Sequence, residues 1–488
     1  MQLSSKKLFY LKIIGLVLIF AVGFIVRLYR FNGPVADWFS WRQADTSAVS
    51  RNFVTGGFDL LHPRFDDLSN VPSGIYDNPQ GYRFVEFPIY NVFQAGLFIT
   101  AGHLTLEEWG RLVTIFFSLL SALFLFLIVK RRDSFLSGTL AAFFFLFLPF
   151  NIYFSRTILP DPLMVTFILG SIYFFDLWVN KDLRLKIYDL RFLIALILTI
   201  SAFLIKPFAA FFMLPMVFLA FEKFGFSFLK KSQLWIFAII SLIPLGLWRV
   251  WMQQYPAGIP QSSWLFNSNN IRFKGAFFHW IFARRIGELI LGFWGLPVLI
   301  LGIIAKRKKN SLFFLSFILS SLIYVSVVAT GNVQHDYYQI PIVPSIAIFL
   351  GLGSAFLLNP PKEYVSRFKT VPILIVCVLF MFSFSWFEVR DFFNINNPSI
   401  VIAGQAVDSM TPKNAKVIAL YGGDTSFLYQ TKRKGWASFE KPLAEMIKMG
   451  AGYLVLVNPK PQDFGIGKQY KIISSTKDYI LFDLNKKP

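Results

Sequence analysis

The feature that most constrains this chain is an apolar run that keeps returning. Leu8–Val26 is the first, and segments of about 17–20 residues with little or no charge recur along most of the sequence. That is the length a helix needs to cross the hydrocarbon of a bilayer. Hydrophobic residues make up 55% of 488 positions, more than a soluble interior of this size can hide. The pattern therefore predicts a polytopic α-helical membrane protein. Leu8–Val26 is read as a retained span and not as a signal peptide, because no small-residue cleavage site follows and Arg27 and Arg30 come next.

The formal net charge of +21 would suggest nucleic acid in a soluble protein. Here the basic residues sit in short connections between spans, where topology explains them, and no RNA- or DNA-binding motif is present. The clusters are Lys6/Lys7/Lys12, "KRRD" (130–133), "KDLRLKIYDLR" (181–191), "EKFGFSFLKK" (222–231), "KRKK" (306–309) and "KEYVSRFK" (362–369). In the polar stretch from Arg27 to Arg111, by contrast, acids outnumber bases. Placing every basic cluster on the cytoplasmic side gives about eleven spans, with the N-terminus inside and the C-terminus outside. They fall near 8–26, 112–129, 136–154, 162–179, 192–205, 207–221, 233–250, 287–305, 311–329, 340–358 and 370–387. The run "PIYNVFQAGLFITAG" (88–102) is short and carries Asn91 and Gln94, so it reads as an interfacial or re-entrant helix and not a span.

Two parts then lie outside the bilayer: the first loop, 27–111, and the tail, 388–488. In the tail "AKVIALY", "GYLVLVN" and "YILFDL" read as strands and "KPLAEMIKMG" as a helix, which predicts a small α/β domain after a membrane domain at 1–387. Cys377, the single cysteine, lies in an apolar run, which excludes disulfides and cysteine metal sites. Four separated histidines give a metal site no support either.

Ionisable residues gather at one boundary. Asp37, Arg42, Asp45, Arg51 and Glu86 belong to the first loop, Arg156 and Asp161 to "SRTILPDPLM", Lys206 to "IKPF", and His335 to "NVQHDYYQIPIVP". Asp161 before Pro162 is a good helix start and can act as a cap, Lys206 can snorkel, and His335 can be an interfacial histidine. Taken together, four connections put acids and bases at the same outer level. That suits a reaction between a lipid phosphate and a polar acceptor: a carboxylate takes a proton from a hydroxyl, and cations meet the charge on a departing phosphate. The stretch "FSWRQADTSAVSRNF" (39–53) is expected to form a short helix over the mouth of the helix bundle.

Those same motifs, "WRQADTSAVSRNF", "EFPIY", "LPDPLM" and "HDYYQIPIVP", resemble bacterial membrane glycosyltransferases of the GT-C fold. The nearest group is the glycosyltransferase 39/83 type, related to protein O-mannosyltransferases and to the aminoarabinose transferase acting on lipid A. The resemblance spans roughly residues 10–358. It implies transfer of a sugar from a polyprenyl phosphate to an extracytoplasmic acceptor, with inversion and without a cofactor or metal. The acceptor is a cell-surface glycan, lipid A or a protein. The family's catalytic acid sits in the first outer loop, often as an Asp-Glu pair; here Arg42-Gln43 takes the pair's place, which leaves Asp45, with Asp37 as the alternative. Asp161 matches the second acidic position. Lys206 resembles the lysine near the donor phosphate, joined by Arg42, Arg51 and Arg156, while Gln43, Glu86, His335, Tyr337 and Tyr338 are expected to line the substrate pocket.

The rival readings are a transporter or flippase for a lipid-linked glycan, and an anchoring subunit. A transporter places its polar groups near the bilayer midplane, whereas here they gather at one face.

Overall fold

The computed structural model describes residues 5–181, 185–305, 311–361 and 366–488. The basic segment 306–309 and parts of two others, 182–184 and 362–365, lie outside the described residues. Ten helices open the chain: α1 (Ser5–Val26), α2 (Ser40–Gly56), α3 (Ile89–Ala101), α4 (Leu106–Arg132), α5 (Phe135–Phe147), α6 (Pro149–Phe154), α7 (Asp161–Val179), α8 (Leu190–Ile205), α9 (Leu214–Phe224) and α10 (Ser232–Met252). By length and composition, six helical stretches among the described residues can cross a membrane: Leu106–Arg132, Asp161–Val179, Pro207–Lys230, Ser232–Met252, Asp336–Leu358 and Arg367–Met410. Shorter apolar helices such as Tyr10–Val26, Phe135–Phe147 and Leu190–Ile205 accompany them.

Two of the expected spans are broken, for local reasons. Over 136–154, Leu148 is driven to an extended ψ of 121° by the proline that follows it, so α5 ends and α6 restarts at Pro149. Over 287–305, a wide-turned π-helix (His279–Ile290) gives way at Gly292 and Phe293, both with positive φ, before helix Leu296–Ile304. The run 88–102 becomes α3, whose 13 residues reach only about 20 Å and cannot cross the hydrocarbon alone. Its polar residues explain its position. Asn91 donates to the Thr46 carbonyl at 2.6 Å and Gln94 to Ser47 Oγ at 3.0 Å, which ties α3 to the polar helix α2.

Helices α4 and α7 run side by side, held by Thr166 bonding the Phe117 carbonyl at 2.6 Å. One end of the pair carries Leu106 and Asp161. At the other end Arg131 and Arg132 pair with Asp176, and Arg132 also reaches Glu222 at 2.7 Å, so two of the basic clusters share that end.

The tail forms a five-stranded sheet of β1 (Lys416–Leu420), β2 (Lys434–Trp436), β3 (Ala451–Val457), β4 (Lys471–Ser475) and β5 (Tyr479–Asp483), ordered β2-β1-β3-β5-β4. Both β2 and β3 run parallel to β1; β5 runs antiparallel to β3 and to β4. Side chains alternate between its faces, as strand geometry requires. Val417, Ala419, Val455 and Leu481 pack with Ile400 and Ala403 of helix Pro398–Met410 and with Ala36 of the first loop. On the other face Ile418, Trp436, Leu454 and Phe482 pack with Leu68. The first loop also continues the sheet: Gly435 donates to the Asp66 carbonyl at 3.0 Å and accepts from Leu68 N–H at 2.7 Å, alongside the free edge of β2. Only glycine fits there, since a Cβ on Gly435 would lie 1.7 Å from the Val417 oxygen.

Candidate active site

Helix α2 is polar yet buried on most sides, Arg42, Gln43, Asp45, Thr46, Ser47 and Ser50 included. It starts after Phe39, in the left-handed region at φ 55°, and stops at Gly57, φ 87°. Such a helix is stable only if its polar side chains find partners, and here they do. Besides the bonds from α3, Ser50 donates to Gln94 at 2.7 Å, and Arg42 pairs with Glu86 of "EFPIY".

Beneath α2 opens a cavity of about 630 Å³. Its polar wall carries Arg42, Asp45, Asp67, Arg83, Lys206, Arg249 and Thr425, and its aromatic wall includes Trp41, Trp264, Tyr337 and Tyr338. Each charged group arrives for a local reason. Lys206 ends α8 in an extended conformation, φ −148° and ψ 129°, as expected of a residue before proline, and a 3₁₀ turn (Pro207–Met213) follows. This break turns Lys206 inward, where Nζ donates to Asp161 Oδ1 at 2.6 Å and lies 5.5 and 5.6 Å from the ring centres of Tyr337 and Tyr338. Asp161 opens α7, but Pro160 holds the N-cap position, so its carboxylate serves Lys206 and makes no capping bond.

Asp45 is held on both oxygens. Arg83 lies 2.7 Å from Oδ2, and Thr425 Oγ1, from the tail, donates to Oδ1 at 2.7 Å. Asp67 stands on the first loop, bonded by Ser69 Oγ at 2.7 Å and Ser69 N–H at 3.1 Å. Burial raises its carboxyl to about 7, against the lowering effect of those two bonds, and the negative charge of Asp45 adds to the rise.

The sequence profile described as dolichyl-phosphate-mannose-protein mannosyltransferase matches residues 88–251. No curated protein matches the chain. Among solved structures, ArnT from Cupriavidus metallidurans bound to undecaprenyl phosphate is 12% identical, with 96% of this chain and 97% of that chain covered and a TM-score of 0.64. The oligosaccharyltransferase of Archaeoglobus fulgidus tethered with an acceptor peptide is 10% identical, covering 91% of this chain and 69% of its own at a TM-score of 0.56. Arabinofuranosyltransferase AftD from mycobacteria is 12% identical, covering 96% of this chain and 41% of its own at 0.58. The fold is GT-C. The GT-C relatives are glycosyltransferases, and hence enzymes.

On this GT-C frame the residues singled out from sequence divide into two groups. Asp45, Arg42, Lys206, Tyr337 and Tyr338 line the cavity, with Asp161 directly behind Lys206 and Glu86 behind Arg42. The others point elsewhere. Asp37 accepts from Gln43 Nε2 at 2.7 Å and faces Arg156 at 3.7 Å, a buried cluster that does not line the cavity. Arg51 pairs with Asp66 and lies 4.1 Å from the ring centre of Tyr429. His335 sits among the rings of Phe39, Trp41, Trp264, Tyr337 and Tyr338. Arg51 and Arg156 are therefore placed away from any ligand in this cavity. Asp67, Arg83, Arg249 and Thr425 went unrecognised in the sequence. Of these only Arg249 carried a signal, being a charge inside the apolar run "LGLWRVW".

Proposed function

We propose that this chain is an inverting glycosyltransferase that moves a sugar, hexose or pentose, from a polyprenyl-phosphate donor to an extracytoplasmic acceptor. The acceptor is a cell-surface glycan, lipid A or a protein. The observation that carries the reading is that one cavity holds Asp45, a carboxylate fixed by Arg83, and three further cations, Lys206, Arg42 and Arg249, between aromatic walls. Aromatic faces with a few placed polar groups are what a sugar pocket requires. ArnT with bound undecaprenyl phosphate and the archaeal oligosaccharyltransferase with bound dolichol phosphate lend the donor class its support.

In this reading Asp45 accepts the proton of the acceptor hydroxyl as that oxygen bonds to the anomeric carbon. The bond from that carbon to the phosphate oxygen breaks, and the electron pair leaves with the polyprenyl phosphate. Lys206, fixed by Asp161, meets the developing negative charge, with Arg42 and Arg249 beside it. Arg249 makes no ion pair among the described residues, so no carboxylate competes with a ligand for its guanidinium.

We assign the membrane domain to 1–387 and the tail to 388–488, with the basic end of α4 and α7 toward the cytoplasm and both the cavity and the tail outside. The protein is then a multi-pass protein of the cell membrane, and in a two-membrane envelope of the inner one. A reporter fused after Lys486 that proves cytoplasmic overturns this orientation. The chemistry is tested by sugar transfer from polyprenyl-phosphate donors: Asp45→Asn and Lys206→Met abolish or strongly reduce it, and unchanged transfer by Asp45→Asn refutes the assignment.

A further inference from the structure

Asp45 is gripped from two directions, and one grip belongs to the tail. The segment "YGGDTSF" (421–427) turns through Gly422 and Gly423, at φ 63° and 85°, conformations that favour glycine. Asp424 then caps the short helix Thr425–Gln430 by accepting from Ser426 N–H at 2.8 Å. Further along that helix, Tyr429 meets Ser47 Oγ at 2.9 Å and Glu107, and Gln430 donates to the Val35 carbonyl at 2.9 Å. The helix is thereby pinned to α2. Thr425 Oγ1 ends 2.7 Å from Asp45 Oδ1 and 3.3 Å from the carbonyl oxygen of Trp41.

We propose that Thr425 is a positioning residue for the transfer reaction, a hydroxyl that holds Asp45 in place both before and after it takes the acceptor's proton. The proposal rests on the reading of Asp45 as the base. A threonine hydroxyl has one proton and lone pairs to accept with, whereas a guanidinium only donates. While Asp45 is ionised, the Thr425 proton points to Oδ1 in a charge-assisted bond. Once the acceptor proton has moved to Oδ1, that bond reverses. The new carboxylic O–H donates to Thr425 Oγ1, and the Thr425 proton turns to the Trp41 carbonyl, already within reach. The acceptor O–H bond breaks and the bond from its oxygen to the anomeric carbon forms, while the phosphate leaves with the electron pair of the old bond. Thr425 keeps its own proton throughout. Arg83 cannot do this, because it favours only the charged carboxylate. The tail thus supplies part of the reaction centre.

The test uses the purified full-length enzyme in lipid nanodiscs with a panel of polyprenyl-phosphate-linked pentoses and hexoses. Thr425→Val, close in shape, lowers kcat about tenfold through loss of one hydrogen bond to a charged group. The donor KM stays within about twofold, and the acidic limb of the pH–rate profile moves up by about one unit. Thr425→Ser restores kcat to within about threefold of the unaltered enzyme and returns the limb to its place. Wild-type kcat and pH profile in Thr425→Val overturn the proposal, as does a serine variant no better than valine. Asp45→Asn, measured beside them, separates the two levels. Full transfer by that variant removes the base reading itself, whereas an inactive Asp45→Asn with a fully active Thr425→Val removes only the role of Thr425.

Discussion

Lys206 and Asp161 form a buried ion pair, 2.6 Å from Nζ to Oδ1, and Asp161 Oδ2 finds no partner among the described residues. A pair of this kind is costly to break from one side, because the remaining charge is stranded: about 3–5 kcal/mol. Lys206→Met and Asp161→Leu each lower the thermal unfolding midpoint in detergent, and the double variant recovers part of the loss. All three variants fail to bind the donor at wild-type affinity. A double variant no more stable than the worse single one contradicts the pairing.

Asp37 and Asp45 differ in what surrounds them, and their neutral variants separate accordingly. Asp45→Asn lowers turnover by about 10²–10⁴-fold, the range of general-base catalysis. Asp37→Asn leaves Arg156 buried and unpaired, so it lowers the unfolding midpoint while the folded enzyme keeps turnover within about threefold. Steady-state kinetics with thermal unfolding on both variants decides. The reverse pattern makes Asp37 the base.

Arg51 works between the first loop and the tail. It pairs with Asp66 and donates to the Tyr429 carbonyl at 3.1 Å. Arg51→Met therefore loosens the tail against α2, seen as faster proteolysis of residues after 410, and leaves the donor KM within about twofold. A large rise in donor KM with unchanged proteolysis would return Arg51 to the phosphate.

Asp67 predicts a pH dependence of stability. Its folded value of about 7 lies above the ordinary 3.8, so the native state holds this proton more tightly than the unfolded chain does. That contribution is complete below about pH 4 and lost as pH rises through about 7. Asp67→Asn stays neutral, so its unfolding midpoint gains on the unaltered protein from pH 5 to pH 8. A constant difference across that range shows that Asp67 is ionised throughout.

How much of this was legible before the structure depends on the reach of each contact. Lys206 before Pro207 carries a local rule that breaks the helix at the cavity, and Asp161 before Pro162 carries one that starts a helix; both rules are readable in the sequence. The helix over 39–53 was readable too, as were three of the five strands. Arg83 and Asp67 lie in an irregular loop with no period to follow: Asp67 is placed by its bridge to Gly435 of the sheet, and Arg83 by Asp45 and the Phe65 ring. Thr425 is 380 residues from its partner, and no local pattern announces it. Arg51 and Arg156 do not line the cavity, and charge alone does not say which way a side chain points. The breaks at Pro149 and Gly292 escaped notice because hydropathy counts apolar residues and ignores backbone geometry.

The strip Asp66–Leu68, bonded along β2 at Gly435, has a consequence for how the protein is made. A ribosome makes that strip well before its partner strand, so its hydrogen-bonding groups wait unpaired while the helices between are made. The wall of the cavity that carries Thr425 therefore closes only after the helices that precede it have been made.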